Sequence, residues 1–171
     1  LNNCKKRYDI SFKEYAILTF HPVTTLTKSQ IIKESKILFD TIKKTEINYV
    51  VIYPNNDTHS NFILKEILKA KSSKIKILPS IKFEYYLTLL KNSKFIIGNS
   101  SSGIREAPVY GVKSINLGKR QSERTNNKGI ININIKKREI IDFIKKFNLK
   151  KKIKKTYEFG NGNSADKFYN I

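Results

Sequence analysis

Short apolar runs alternate with amphipathic segments along most of this chain, and this alternation constrains the fold more than any other feature. The apolar runs are rich in isoleucine and other β-branched or aromatic residues, which predicts buried strands. They lie at 14–20, 47–53, 74–78, 95–98, 115–118 and 129–135. Strands that alternate with helices are typical of a parallel sheet covered on both faces.

The segments between these runs show the spacing of helices that pack on one side. Thr27 or Ser29 is predicted to cap a helix that reaches about Lys43, and Ser60 one that reaches about Lys71. Further helices are predicted at 82–91, after the serines at 100–102, within the basic run 136–155, and after Ser164. The predicted fold class is α/β: one Rossmann-like three-layer α/β/α domain with a parallel sheet.

The net charge of +20, from 34 basic and 14 acidic residues, indicates a polyanion or nucleic acid as one candidate partner. The densest basic run, 136–155, also carries apolar residues at helical spacing, among them Ile140 and Ile144. That spacing favours lysines on the solvated face of a surface helix. A nucleic-acid-binding module therefore stays as the alternative from a different functional class.

Cysteine and histidine are too scarce for a disulfide framework or a standard zinc cluster. Cys4 is the only cysteine, and His21 and His59 are the only histidines. A cytoplasmic protein without a metal or cofactor is expected. No apolar run approaches the roughly 20 residues that span a bilayer. The chain does not begin with methionine, from which we expect a fragment of a longer protein, or a processed one.

Each predicted strand ends in polar or small residues. In a parallel sheet the carboxyl ends of all strands meet one edge, and open α/β sheets bind ligands there, near a topological switch point. We therefore expect a site built from distant segments. Its candidate groups are His21 with Thr24 and Thr25, Asn55 with Asp57, Ser80, Asn99 to Ser102, and Lys119 to Arg124.

The stretch 95–121 carries the most specific chemistry. An apolar run ends in Gly-Asn, three serines and Gly103 follow, and a predicted helix carries Glu106. Free N–H groups, the helix dipole and serine hydroxyls all favour an anion there. The alternative is that one serine merely caps the helix, but three serines exceed that need. Glu106 is not a capping-box residue, because Gly103 stands where the box needs Ser or Thr.

Five motifs resemble those of the UDP-N-acetylglucosamine 2-epimerases, in the same order, over about residues 15–165. They are HPVTT at 21–25, YPNND at 53–57, GNSSSGIREAPVYG at 98–111, INLGKRQ at 115–121 and FGNGNSA at 159–165. The Ser-Ser-Ser-Gly loop resembles the hydrolysing branch, which releases N-acetylmannosamine for sialic acid synthesis. Non-hydrolysing members usually carry an Asp-Ser-Gly-Gly type loop at this place.

The resemblance implies a GT-B fold, in which two Rossmann-like domains hold a nucleotide sugar between them. This chain resembles the C-terminal half only. The expected parts are a linker or domain entry at 1–13, a Rossmann-like UDP-binding domain at 14–157, and a C-terminal segment at 158–171 that returns toward the N-terminal domain. In the family the N-terminal domain supplies the acid and base carboxylates, so we expect this chain to bind UDP and to be inactive alone.

The resemblance also implies which residues of the serine loop and its helix hold the nucleotide. It places the UDP diphosphate at Ser100 and Ser101, and Ser102 and Gly103 of the same loop are also expected to bind UDP. Glu106 is expected to accept hydrogen bonds from the ribose hydroxyls. A carboxylate so near the phosphates is otherwise poorly placed.

Three further segments are implied in UDP binding. Arg120, with Lys119 and Arg124 nearby, is expected to pair with phosphate charge. Asn55 is matched to a nucleotide contact, although by itself it is an ordinary turn residue after a proline. A lone histidine after a buried strand is usually structural. The resemblance instead matches His21 to a catalytic residue that steadies or protonates the leaving UDP.

The implied reaction converts UDP-N-acetylglucosamine and water into N-acetylmannosamine and UDP through a glycal intermediate. UDP and a UDP-N-acetylhexosamine are the expected ligands, and neither a membrane nor nucleic acid is an expected partner. We expect the intact protein to be a homo-oligomer. The alternatives are a hydrolysing epimerase of UDP-2,4-diacetamido-trideoxyhexose, a non-hydrolysing UDP-N-acetylglucosamine 2-epimerase, and a remnant that binds nucleotide without catalysis.

Overall fold

The computed structural model describes residues 1–147 and 152–169, and within them a six-stranded sheet forms the centre of the domain. The strands are β1 Ala16–Thr19, β2 Tyr49–Ile52, β3 Ile75–Leu78, β4 Phe95–Gly98, β5 Lys113–Leu117 and β6 Ile130–Ile133. Their order is β3-β2-β1-β4-β5-β6, and all named neighbours pair in parallel. The predicted α/β class with a parallel sheet is confirmed.

Helices cover both faces of the sheet. They are α1 Asn2–Arg7, α2 Lys28–Ile42, α3 Ser60–Lys69, α4 Phe83–Lys91, α5 Glu106–Val109, α6 Lys137–Phe147 and α7 Ser164–Tyr169, with a 3₁₀ turn at Ser101–Gly103. Leu18 of β1 packs in the core beneath α2, α3 and α6, while its neighbour Ile17 packs in the core beneath α1, α4 and α5. Successive strand residues face opposite sides, so both faces must be apolar.

Of two helix starts predicted from the sequence, the cap of α2 is confirmed and the cap of α3 is wrong. Of the two predicted caps, Thr27 and Ser29, it is Thr27 that caps α2, and the structure adds a capping box with Gln30. Ser60 was predicted to cap α3 but is its first residue. His59 precedes it in the left-handed region at φ 72°, and the turn is closed by the Ser60 N–H, which donates to the Asp57 carbonyl at 3.0 Å. This backbone bond replaces the side-chain cap.

The segment at 1–13, expected to be a linker or domain entry, contains a helix that the sequence did not predict, α1, and packs on the domain. Cys4 and Ile10 are both buried in the same core as Leu89 of α4. The Cys4 Sγ donates to the Tyr85 carbonyl at 3.6 Å. So few apolar residues at irregular spacing leave little periodic signal in the sequence, which explains the difference.

The basic helix α6 buries its apolar stripe and exposes its charged residues. Ile140 and Ile144 lie in the core, whereas Lys137, Arg138 and Lys145 are exposed. This agrees with a solvated basic face. Residues 148–151 of the basic run lie outside the described residues. Among the described helices, none combines the length and apolar character needed to cross a bilayer.

Candidate functional site

The strand order places a topological switch point between β1 and β4. From β1 the chain moves outward through β2 to β3, then returns to β4 on the other side of β1. His21 follows β1 and Asn99 follows β4, so two segments 78 residues apart meet at this point. Ligands of open α/β sheets bind in such a crevice. The parallel sheet thus brings the predicted strand-end groups to one edge.

Asn99 links the two segments at the switch point and is 1% exposed. Its Oδ1 accepts a hydrogen bond from the His21 N–H at 2.7 Å, and its Nδ2 donates to the His21 carbonyl at 2.8 Å. Its own N–H donates to the Thr19 carbonyl at 3.1 Å. The asparagine side chain therefore continues the pairing of β1 and β4 beyond the last residue of each strand.

His21 is held as a neutral imidazole. The Asn55 N–H donates to its Nδ1 at 3.0 Å, so the ring proton belongs on Nε2. The pKa of His21 is lowered to about 4, mainly by burial and also by the charge of Arg120, while the charge of Asp57 opposes both effects. At neutral pH the residue is therefore a hydrogen-bond donor through Nε2 rather than a cation.

Asn55 reaches the site through its backbone. Its N–H holds the His21 ring, whereas its side chain is exposed and makes no hydrogen bond with any described residue. The nucleotide contact expected of its side chain stays a prediction. The structural role of the backbone was not visible in the sequence, because it depends on β1 and β2 lying side by side.

The serine loop divides into two outward and two inward residues. Ser100 and Ser101 are half-buried, and no described residue accepts a hydrogen bond from either backbone N–H. Ser102 is buried, and its hydroxyl bonds to the Tyr86 hydroxyl. Gly103 is buried against β5, where an added Cβ would lie 2.5 Å from the Ser114 Oγ. The amides of Ser100 and Ser101 are thus the free donors of this loop.

The helix predicted after the serines is shorter than expected. A 3₁₀ turn at Ser101–Gly103 leads into α5, which has four residues and contains Pro108. Proline has no N–H to continue the helical hydrogen bonds, and so short a helix has little macrodipole. The donors that this loop offers to an anion are therefore individual N–H and hydroxyl groups, and not the helix dipole that the sequence suggested.

Glu106 has an unpartnered buried atom. Its Oε2 is buried and has no hydrogen-bond partner among the described residues. No side-chain cap is present at the start of α5, which agrees with the absence of a capping box. The negative charge of Glu106 also contributes to a raised pKa of Tyr86, although burial is the main cause. A buried carboxylate oxygen without a donor is costly, which points to a donor supplied by a ligand.

Arg120 approaches the switch point from the loop after β5. Its Nη1 donates to the Asn99 carbonyl at 3.0 Å, so its guanidinium lies beside the serine loop. A cavity of about 650 Å³ opens next to these two residues, and Lys119 and Glu34 also line it. In the described part of the chain, no group of three or more His, Cys, Asp or Glu side chains could hold a metal ion.

The segment 152–160 ties α5 to the loop after β5. The Thr156 N–H donates to the Pro108 carbonyl at 3.2 Å, and the Thr156 Oγ1 accepts a hydrogen bond from the Asn127 Nδ2 at 2.8 Å. Both elements carry candidate ligand residues, Glu106 and Arg120 respectively. This chain segment therefore helps to set the spacing between them.

Sequence reasoning missed the positions of Asn99 and Tyr86 in this site. Asn99 was one of several polar strand-end residues, and only the structure shows it between His21 and Arg120. Tyr86 belongs to a helix whose apolar spacing marks it as core, and its hydroxyl under the serine loop leaves no sequence pattern. A buried tyrosine hydroxyl usually has a polar partner, which was the one available signal.

Tyr86→Phe is expected to destabilise the domain by about 1–2 kcal/mol, because it leaves the buried Ser102 hydroxyl unpaired. Urea denaturation followed by circular dichroism measures this. Tyr85→Phe is the matched control, since the Tyr85 hydroxyl bonds to no described residue. Equal stability of the two variants would contradict the assigned bond.

Comparison with known proteins identifies the family of this chain. All 171 residues match the family model described as UDP-N-acetylglucosamine 2-epimerase. The chain is 45% identical over 145 residues to the UDP-N-acetylglucosamine 2-epimerase of Neisseria meningitidis serogroup B, covering 84% of this chain and 38% of that protein. It is 35% identical to the GDP/UDP-N,N'-diacetylbacillosamine 2-epimerase (hydrolyzing) of Campylobacter jejuni, covering 72% and 33% respectively.

The fold comparison gives the same architecture. The UDP-GlcNAc 2-epimerase of Methanocaldococcus jannaschii, solved in complex with UDP-GlcNAc and UDP, superposes with a TM-score of 0.77 at 22% identity. The match covers 100% of this chain and 48% of that one. The domain is thus one half of a GT-B fold, and it spans well under half the length of the curated relatives cited. The chain belongs to the UDP-N-acetylglucosamine 2-epimerase family.

Proposed function

We propose that this chain is the UDP-binding domain of a hydrolysing UDP-N-acetylglucosamine 2-epimerase, which converts UDP-N-acetylglucosamine and water into N-acetylmannosamine and UDP. The observation that carries the proposal is the cluster of donors at the switch point. The neutral His21 ring, the free amides of Ser100 and Ser101, and the Arg120 guanidinium meet around one residue, Asn99. Such a set suits a diphosphate.

These groups would bind the leaving group of the reaction. As the C1–O bond breaks, negative charge grows on the β-phosphate, and N–H donors with Arg120 stabilise it. A nearby phosphate charge also raises the pKa of His21 from its depressed value, since it favours the imidazolium. His21 can then donate a proton to departing UDP. Glu106 would accept the ribose hydroxyls, which gives its unpaired Oε2 a donor.

The remaining steps, removal of the C2 proton and addition of water, are carried out by groups outside this chain. A base removes the C2 proton as UDP departs, which gives a glycal, and water then adds with inversion at C2. The N-terminal domain of the family supplies the carboxylates for these steps, so the chain alone is inactive. We propose that 14–157 is the UDP-binding domain and that 158–171 returns toward the N-terminal domain. The intact protein is proposed to be a cytoplasmic homo-oligomer in sialic acid synthesis.

The hydrolysing assignment is supported by the Ser-Ser-Ser-Gly sequence of the loop and by the similarity to the Campylobacter enzyme, whose name includes that activity. The same relative keeps open a UDP-2,4-diacetamido-trideoxyhexose substrate. The two sugars differ at groups that would face mainly the other domain. Incubating the full-length enzyme with each nucleotide sugar distinguishes them, and free N-acetylmannosamine with UDP is the expected product pair. Release of neither product would contradict the proposal.

Calorimetric titration of this chain with UDP tests the site directly. Ser101→Ala and Glu106→Ala are each expected to weaken UDP binding by about 1–3 kcal/mol, because a hydrogen-bonding partner of the ligand is lost. Ser73→Ala is the control, since Ser73 is exposed in the turn before β3 at the opposite edge of the sheet. Wild-type affinity in both site variants would remove these residues from the assignment.

The same titration separates the nucleotide site from a basic polyanion-binding surface. Binding to DNA or RNA through lysines would weaken steeply with salt. Competition by UDP at physiological salt is expected for the nucleotide site. Tight nucleic-acid binding that UDP leaves unchanged would favour the nucleic-acid-binding alternative over the epimerase.

A further inference from the structure

We propose that Asn99 is a positioning residue, which holds His21 and Arg120 in register with the free amides of Ser100 and Ser101. The inference rests on the proposed UDP site and adds to it a residue that need not touch the nucleotide. The geometry that supports it is that one buried side chain and its own carbonyl bond to two candidate phosphate ligands from different loops.

The backbone of His21 lies beyond the hydrogen-bonded ladder of the sheet. β1 ends at Thr19 and β4 at Gly98, so the sheet ladder offers no partner to the buried His21. Asn99 supplies both an acceptor and a donor in one planar amide, at 2.7 and 2.8 Å. A serine side chain has a single polar atom, which cannot reach both backbone groups, and a leucine of similar size has no polar atom. The residue type therefore matches the two backbone groups that it satisfies.

The tautomer of the His21 imidazole depends on where its backbone is held. With the His21 backbone clamped by Asn99, the ring lies where the Asn55 N–H can donate to Nδ1 at 3.0 Å. That bond selects the tautomer with the proton on Nε2. If the His21 backbone shifts, this bond lengthens and the tautomer preference weakens. Asn99 thus controls which ring nitrogen offers a proton to the ligand, although it touches only the backbone.

Arg120 is bound to the same residue, Asn99. Its Nη1 donates to the Asn99 carbonyl at 3.0 Å, and Ser100 is the next residue along the chain. One buried residue, Asn99, therefore fixes the positions of the guanidinium, the serine amides and the His21 ring relative to one another. The charged groups that act on His21 are Arg120, from the loop after β5, and Asp57, from the loop after β2. A shift at Asn99 changes their distances to the ring.

The test compares Asn99→Leu with Asn116→Leu in this chain. Both asparagines are 1% exposed, and Asn116 lies in β5 whereas Asn99 directly follows the neighbouring strand β4. Asn116 bonds to Asn132 and to neither His21 nor Arg120. Calorimetry gives UDP affinity, and ¹⁵N NMR of histidine-labelled protein gives the tautomer of each ring. His21 and His59 are the only histidines, so His59 serves as an internal reference.

We expect Asn99→Leu to weaken UDP binding roughly tenfold or more, since groups that bind the ligand lose their alignment. In the same variant His21 loses its single Nε2–H tautomer, whereas Asn116→Leu keeps both the tautomer and the affinity. If Asn99→Leu fails to fold, Asn99→Ser is used, which retains one of the two bonds and should give an intermediate loss.

Two results would overturn the inference. One is an Asn99 variant that keeps wild-type affinity and tautomer, and the other is an equal loss in the Asn116 variant, which would mean general destabilisation. Failure of the proposed function looks different: wild-type protein would not bind UDP at all. In that case the NMR comparison alone decides whether Asn99 positions His21.

Discussion

Gly98→Ala is expected to cost more than about 4 kcal/mol of folding free energy, or to prevent folding, because its Cβ has no room. An added Cβ would overlap the Thr19 carbonyl oxygen and lie 2.7 Å from the Thr19 carbonyl carbon. These are backbone atoms of the paired strand, so no side-chain rotation relieves the overlap. Gly98 also has φ 143°, where a residue with a Cβ is strained.

Gly160→Ala is the matched control for this prediction. Gly160 has φ 114°, but no atom beyond its two chain neighbours lies within 4 Å of its added Cβ. It carries the conformational strain without the steric overlap, so we expect a loss of only about 1–2 kcal/mol. Thermal and urea unfolding followed by circular dichroism measure both variants. A Gly98→Ala protein as stable as Gly160→Ala would contradict the close approach of β1 and β4.

The second large effect is a loss of stability in mild acid through His21. Its pKa is lowered to about 4, mainly by burial and also by the charge of Arg120, against an ordinary value of 6.5 in the unfolded chain. Between these values the unfolded state binds a proton that the folded state does not. Stability therefore falls as pH drops from about 6.5 to about 4, by up to about 3 kcal/mol. Above pH 6.5 this contribution is fully present.

Urea unfolding at several pH values tests this, with His21→Gln to remove the titrating group. The difference between wild-type and His21→Gln stability should shrink by up to about 3 kcal/mol across that window, because the carboxylates titrate in both proteins. His59→Gln is the control variant at the other histidine. A wild-type and His21→Gln difference that is constant with pH would show that His21 is not buried as described.

Bound UDP should raise the pKa of His21, and so move the pH range in which His21 gains its proton to higher values. The diphosphate charge stabilises the imidazolium, which counteracts the burial and the Arg120 charge that hold the pKa low. The pH dependence of stability and the pH dependence of UDP affinity therefore report on the same proton. This connects the buried histidine of the fold to its proposed role in departure of UDP.

Much of the fold could be predicted from the local sequence. The alternation of strands and helices predicted the parallel sheet, and Thr27 was one of two caps predicted for the start of α2. Periodicity failed where packing is not periodic. Segment 1–13 buries only a few residues, and α5 ends after one turn around Pro108. The α3 start was wrong because a backbone turn, not Ser60, satisfies its first N–H groups.

The sequence by itself determined the class of fold, the edge of the sheet where the polar strand-end residues meet, and the residue types suited to a phosphate, because these follow from periodicity and local chemistry. Only the tertiary structure decided which serines face outward, which nitrogen of His21 carries the proton, and that Asn99 joins the two loops. Those features depend on contacts between residues up to 78 positions apart, which arise only when parallel strands are brought side by side.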